Sequence, residues 1–191
     1  NIGSGKPIKG FMLSIGTMAT ASMGVVIAHH SSNLSQVLEE VRACEKQAKK
    51  LNGKNAYCVA LAKRAGGTEY ITAKWYYEDF HESIPLLRKW ADAFYNNHIS
   101  PKFVYTFSTE TKGLEYKDET GKVVQLSADA IKLELLRIAN RQRNKKAEKF
   151  DKNNMDELVN GLMQLYAGGV TIDDLGKFLS VAAFLGREGN R

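Results

Sequence analysis

Residues 21–61 constrain the fold more than any other part of the chain. An apolar, β-branched run (Ser22 to Ala28), a long amphipathic segment (Asn33 to Leu51), a turn at Asn52-Gly53 and a second apolar run (Ala56 to Leu61) follow with almost no slack. That order reads as strand, helix, strand. In the helical segment Leu34, Val37, Leu38, Val41, Cys44, Ala48 and Leu51 recur at steps of three and four. Charged residues (Glu39, Glu40, Arg42, Glu45, Lys46, Lys49, Lys50) fill the remaining positions, so one apolar stripe is expected to face a core. Ser31, Ser32 and Asn33 are candidate N-caps, and Lys46, Lys49 and Lys50 crowd the negative end of the helix dipole. Gly53 suits a left-handed helix closure.

After Lys63, Gly66-Gly67 marks a turn, and Thr68 to Trp75 is expected to pair as a hairpin with Ala56 to Leu61. From Glu78 the apolar period becomes helical: Ile84, Leu87, Trp90, Ala91 and Phe94 form one stripe, with Pro85 in a first turn. Ser100-Pro101 is a break, Phe103 to Phe107 suits a short strand or a helical turn, and Lys112 to Val123 reads as a flexible connector. Ser127 is expected to cap a basic helix reaching about Phe150, lined by Ile131, Leu135 and Ile138. Helices over Asp156 to Tyr166 and Ile172 to Leu185 follow, the latter capped by Thr171. The fold class is therefore α+β, a mixed part over residues 1–77 and an all-helical bundle over 78–191, with the boundary near residues 76–80.

Composition adds sign and environment. Twenty-seven Lys and Arg against 21 Asp and Glu give a net charge of +6, which favours a polyanionic partner without requiring one. Cys44 and Cys58 lie inside apolar patterns, away from C-x-x-C spacing, and read as buried free thiols of a reducing, cytoplasmic setting. No apolar run approaches the ~20 residues that cross a bilayer.

Complete catalytic constellations are absent. Gly3-Ser4-Gly5-Lys6 lacks the earlier Gly, the following Ser or Thr and the preceding strand of a phosphate loop. His29, His30, His81 and His98 show no metal-ligand spacing, although His29 and His30 end a strand, where a ligand or a backbone hydrogen bond are both reasonable. Asp173-Asp174 opens a helix, and complementing its dipole suffices to explain the pair. The run Arg137, Arg141, Arg143, Lys145, Lys146 and Lys149 reads equally as a solvated face or as sequence-independent phosphate contact. Around the end of the first helix, Lys49 and Lys50 answer the dipole, while Lys54-Asn55 is less well explained by it.

Two stretches carry a resemblance. Ala21-Ser22-Met23-Gly24-Val25-Val26-Ile27-Ala28-His29, followed by a helix ending Ala48-Lys49-Lys50-Leu51-Asn52-Gly53-Lys54-Asn55-Ala56, resembles the second half of the nucleotide-cyclase palm. In that palm an S-x-G strand precedes a helix ending A-K-x-x-G-[RK]-N. The I-A-H variant and the helical tail ending Leu179-Ser180-Val181-Ala182-Ala183-Phe184-Leu185-Gly186-Arg187-Glu188-Gly189 are similar to the large polymerase/cyclase-like subunit of type III CRISPR effector complexes, III-B in particular.

The resemblance implies part of a ferredoxin-like palm followed by a helical, thumb-like domain. It implies ATP binding and cyclic oligoadenylate synthesis in antiviral defence, in a cytoplasmic complex with other subunits, CRISPR RNA and target RNA. Lys49 matches the family lysine that reaches triphosphate oxygens, Lys54-Asn55 the basic residue and Asn after the Gly, and Ser22 and Gly24 the S-x-G strand near the nucleotide. The family's Mg2+ or Mn2+ ions are held by a G-G-D-D hairpin, and no such sequence occurs in this chain. The chain is thus expected to be a C-terminal part of a larger nucleotidyltransferase and inactive alone. The rival expectations are a non-catalytic scaffold binding RNA or partner proteins, and a diguanylate-cyclase-like domain with a preference for GTP.

Overall fold

The computed structural model describes residues 20–51, 53–63, 67–77, 81–112, 115–117, 119–120, 123–125, 127–144, 147 and 150–188. A parallel pair, β1 (Met23–Ile27) and β2 (Ala56–Ala62), is joined by α1 (Leu34–Lys50), and β3 (Thr68–Lys74) pairs antiparallel with β2. The sheet order is β1-β2-β3. The expected strand-helix-strand unit and hairpin are both present. Asn33 is the N-cap of α1, its side chain accepting from Ser35 N at 2.9 Å.

β2 is covered on both faces, and its alternation decides what each face receives. Ala56, Cys58 and Ala60 meet Cys44 and Ala48 of α1, whereas Tyr57, Val59 and Leu61 enter the main core. Small residues under α1 let it sit close to the sheet. Gly24 is the extreme case: a Cβ there would lie 2.6 Å from both Val41 O and Glu45 N. Both cysteines are buried free thiols, and burial together with the neighbouring Cys58 pushes the Cys44 thiol up to about 12. The stripe of α1 is only half used, however. Leu34 and Leu38 remain 70% and 49% exposed, while the buried residues of α1, Cys44 and Ala48, lie in its second half.

The short pair β4 (Tyr76–Tyr77) and β5 (His81–Glu82) leads into α2 (Ser83–Tyr95), followed by α3 (Lys102–Glu110). Phe103 to Phe107 is therefore helical. Leu87, Trp90 and Phe94 of the expected α2 stripe are buried, while Ile84 is exposed. Trp90 stacks on Phe103 at 5.3 Å.

Two expectations need correction. The segment read as a connector contains a hairpin, β6 (Glu115–Lys117) with β7 (Val123–Gln125). The basic helix α4 (Ala128–Gln142), capped by Ser127, stops well before Phe150. Beyond Ala139 no apolar residue continues the helical line, and Arg143 turns extended to bridge Ile99. A second helix, α5 (Lys152–Ala167), then starts at Asp151 with a capping box to Asn154, and α6 (Ile172–Glu188) starts after Thr171, whose hydroxyl accepts from Asp174 N. One hydrophobic cluster runs from Tyr57, Leu61 and Ile71 of the sheet through Trp90, Phe103 and Leu135 to Leu162 and Leu179. No helix among the described residues is long and apolar enough to cross a membrane.

Candidate nucleotide site

Because β1 and β2 run parallel and α1 returns between them, the start of β1, the end of α1 and the loop into β2 meet at one end of the unit. Ser22 is half-buried just before β1, Lys49 and Lys50 are exposed in the last turn of α1, and Lys54-Asn55 precedes β2. The structure thus gathers Ser22, Lys49, Lys54 and Asn55 at a common end.

The loop has an unusual backbone. Gly53, Lys54 and Asn55 follow one another with φ of 76°, 52° and 51°. Left-handed backbone costs an ordinary L-residue about 1 kcal/mol or more, Asn being better tolerated there, so Lys54 in particular must be held in place. Lys54 N donates to Leu51 O at 2.8 Å and Trp75 N donates to Asn55 O at 3.2 Å. The Trp75 indole Nε1 donates to Ala21 O at 2.9 Å, and its ring lies 4.9 Å from that of Tyr57. Trp75 therefore ties the residue before Ser22 to the left-handed turn. Sequence reasoning saw Trp75 only as the end of a strand. Its role follows from the β2–β3 register, in which Lys74 lies opposite Ala56.

The charges at this end are unequal. Lys49 is paired with Glu45 one turn back, and Lys49 holds the Glu45 carboxyl below its usual range. Lys54 is exposed and has no ion-pair partner among the described residues. Lys54 can therefore meet an anion at once, whereas Lys49 must first exchange Glu45. Gly24 packs against α1, where a Cβ would meet Val41 O and Glu45 N. Among the described residues no group of three His, Cys, Asp or Glu side chains is placed to hold a metal ion, so these residues do not fit a metal centre.

The basic residues of α4 are placed elsewhere, on a helix that packs against α3 and α5. Arg137 is paired with Glu134 and Glu110, and Arg141 with Glu110 at 3.3 Å. Those two carboxylates raise the Arg137 pKa above its ordinary value. Arg143 Nη1 donates to Phe150 O at 3.4 Å. Lys145, Lys146 and Lys149 lie outside the described residues. Asp173 and Asp174 both pair with Lys177 in the first turn of α6, as a helix start with local compensation would have it.

The chain matches no curated protein. The family model described as Cas10/Cmr2, second palm domain, covers residues 9–58, a span that includes β1, α1, the left-handed turn and the start of β2. Over that span the chain is similar to the second palm domain of Cas10/Cmr2.

Proposed function

We propose that this chain supplies one wall of an ATP site in a type III CRISPR large subunit and contributes there to cyclic oligoadenylate synthesis. The observation that carries the reading is the left-handed Gly53-Lys54-Asn55 turn, which sets Lys54, without an ion-pair partner among the described residues, at the same end of the unit as Ser22. Lys54 and Lys49 take phosphate oxygens, the Ser22 hydroxyl and the Asn55 amide add hydrogen bonds, and Trp75 holds the two segments in register. A lysine is a point charge rather than a guanidinium fork, so the pair supplies charge more than geometry. The carboxylates for Mg2+ or Mn2+ come from outside this chain. Residues 1–77 form the palm portion and 78–191 a thumb-like domain that docks on other subunits. Arg143, Lys145, Lys146 and Lys149, with Arg137 and Arg141 once released from Glu110, contact RNA backbone.

The test uses the complete subunit assembled with guide and target RNA. Lys54→Ala is expected to raise the ATP concentration needed for half-maximal product by about tenfold, the usual worth of a charge-assisted phosphate contact. Lys49→Ala should do the same or less. Wild-type amounts of cyclic product from both variants at limiting ATP would remove these lysines from the site. RNA binding with a steep salt dependence, and no ATP binding at all, would identify a scaffold instead.

A further inference from the structure

The helical part holds a long groove whose charge is opposite to that of the chain. Between α2 and α5, Leu86 meets Gly161, where a Cβ would lie 2.5 Å from Leu86 Cδ1, and Lys89 pairs with Glu157. Numbers rise on one helix as they fall on the other, so the two run antiparallel. Beside the Leu86–Gly161 contact a cavity of about 620 Å³ reaches Glu82 and Gln164, and a second of about 280 Å³ continues past Ala93 to Asn96 and Phe150. Lys89 and Glu157 line both, so the two cavities form one groove that this ion pair crosses. It follows α2 for roughly 20 Å, at the helical rise per residue.

Carboxylates set the sign of its walls. Glu82 and Asp92 come from α2, Asp156 and Glu157 from α5, against a single lysine and the ring of His98, which is stacked on Phe150. The chain as a whole carries +6. Lys89 answers Glu157, and Arg88 lies 3.8 Å from Asp92 with both side chains largely exposed, a pair of little worth in water. Glu82 and Asp156 have no ion-pair partner among the described residues. Asp156 is half-buried, and its Oδ1 is buried with no hydrogen-bond partner among them. Such a carboxylate is a standing cost to the fold, which a cationic group in the groove would offset. The four acids are spread along the groove, and among the described residues no three His, Cys, Asp or Glu side chains are placed to hold a metal ion. A row of single charges suits a row of ammonium or guanidinium groups.

The shape of the groove narrows the occupant further. Its lining positions step by three and four from Glu82 to Asn96 on α2 and from Asn153 to Gln164 on α5, so each helix turns one face to it. A gap between two such faces seats the ridges of a third helix. Leu86, Ala93 and Leu158 give that helix an apolar floor. Nucleic acid does not suit the groove, because its phosphates would meet carboxylates. We propose that the α2–α5 groove docks an amphipathic, basic helix of a partner protein, its apolar side chains on the Leu86–Leu158 floor and its Arg or Lys side chains opposite Glu82, Asp92 and Asp156. The inference deepens the reading of residues 78–191 as a docking domain, and it uses no residue of the ATP end.

The test titrates the 191-residue chain with a synthetic helix of about 14 residues, built from Ala, Leu and Arg with Leu and Arg on adjoining faces, and follows backbone amide resonances. The same peptide with Glu for Arg, and a single-stranded RNA, are separate arms. Saturable shifts are expected along residues 82–96 and 153–164, with a Kd below about 1 mM, and the Glu peptide and the RNA should bind there at least about tenfold more weakly. Glu82→Gln combined with Asp156→Asn should weaken the Arg peptide about tenfold. Lys89→Ala, at an exposed position, frees Glu157 and should tighten it about threefold. Asp129→Asn removes an equal charge from the first turn of α4 and should bind as wild type. No shift along the groove overturns the proposal, as does wild-type binding by the double variant. Equal binding by the Glu peptide overturns the basic partner, and RNA that shifts these residues as tightly as the Arg peptide overturns the protein partner. The readout needs neither ATP nor guide RNA, so failure here leaves the ATP response of the complete subunit as a separate test.

Discussion

The two ends of the β1–α1–β2 unit are built in different ways. The amino end, with Ser22, Lys54 and Asn55, is assembled from residues within one continuous stretch and closed by Trp75 of the next strand. It is open, and its order resides in backbone geometry. The carboxyl end, with His29, His30 and Lys63, is closed by Pro101, Val104, Ser180 and Arg187 from helices far along the chain. It is a cavity, and its order resides in packing. Local sequence therefore specifies the first end, while the second exists only once the helical part has docked.

The sharpest way to break this comparison is to unseat α1, which both ends share. Gly24→Ala places a methyl 2.6 Å from backbone atoms of Val41 and Glu45, and backbone cannot turn aside as a side chain can. Overpacking of this kind is expected to cost about 3 kcal/mol, read as a drop in the urea midpoint. Gly161→Ala is the control, because the obstacle there is the flexible end of Leu86 and the cost should stay near 1 kcal/mol. Equal stability of Gly24→Ala and wild type would mean that α1 is not seated on β1.

Alkaline pH should come next in size. Burial pushes Tyr57 from its ordinary 10.0 up to about 12, and Cys44 rises from 9.0 to about 12. Each group is protonated and neutral in the folded protein over a range where the unfolded chain has released the proton. Their stabilisation is complete below pH 9 and is lost as the pH climbs through 12. For Tyr57 alone the loss is on the order of 2–3 kcal/mol. Urea midpoints of wild type and Tyr57→Phe across that window check it: the variant should show a shallower decline, and parallel curves would assign the loss to other groups.

The same contrast between local and distant order governs what the sequence discloses. The strand-helix-strand unit is legible because period-2 and period-3.6 patterns, the Asn33 cap and the turn glycine all agree over a contiguous stretch. The β6–β7 hairpin is not, since strands of three residues are too short to register an alternation. The end of α4 at Gln142 was hidden by a charged run that is helix-compatible, and the bridge from Arg143 to Ile99 that stops it joins distant residues. The exposure of Leu34 and Leu38 likewise depends on what packs against the first half of α1, which periodicity does not disclose. Lys49, Lys54 and Asn55 stand out through family resemblance, whereas Trp75 and the Arg187 side of the cavity emerge only from register and packing.

A smaller perturbation separates the two ends. Trp75→Phe keeps a ring against Tyr57 but removes the indole donor to Ala21 O. About 1 kcal/mol of stability should be lost, the usual net worth of one hydrogen bond. Amide resonances near residues 21–22 and 53–55 should move while those at 28–30 and 61–63 stay in place. Equal movement at both ends would show that Trp75 supports the whole sheet rather than the amino end.

The smallest effect on stability carries the most information about function. At Lys54, φ is 52°, so Lys54→Gly relieves left-handed strain at the expense of a more flexible unfolded chain. These two terms are each about 1 kcal/mol and opposed. The net change in stability should therefore stay within about 0.5 kcal/mol, with any shift toward the more stable side. The ammonium is lost altogether. If the lysine is held in this conformation for a phosphate, the complete subunit carrying Lys54→Gly should fold as well as wild type and require about tenfold more ATP. A variant that is equally stable and equally responsive to ATP would leave the strained turn without a ligand role, and the amino end would then be a structural closure of α1.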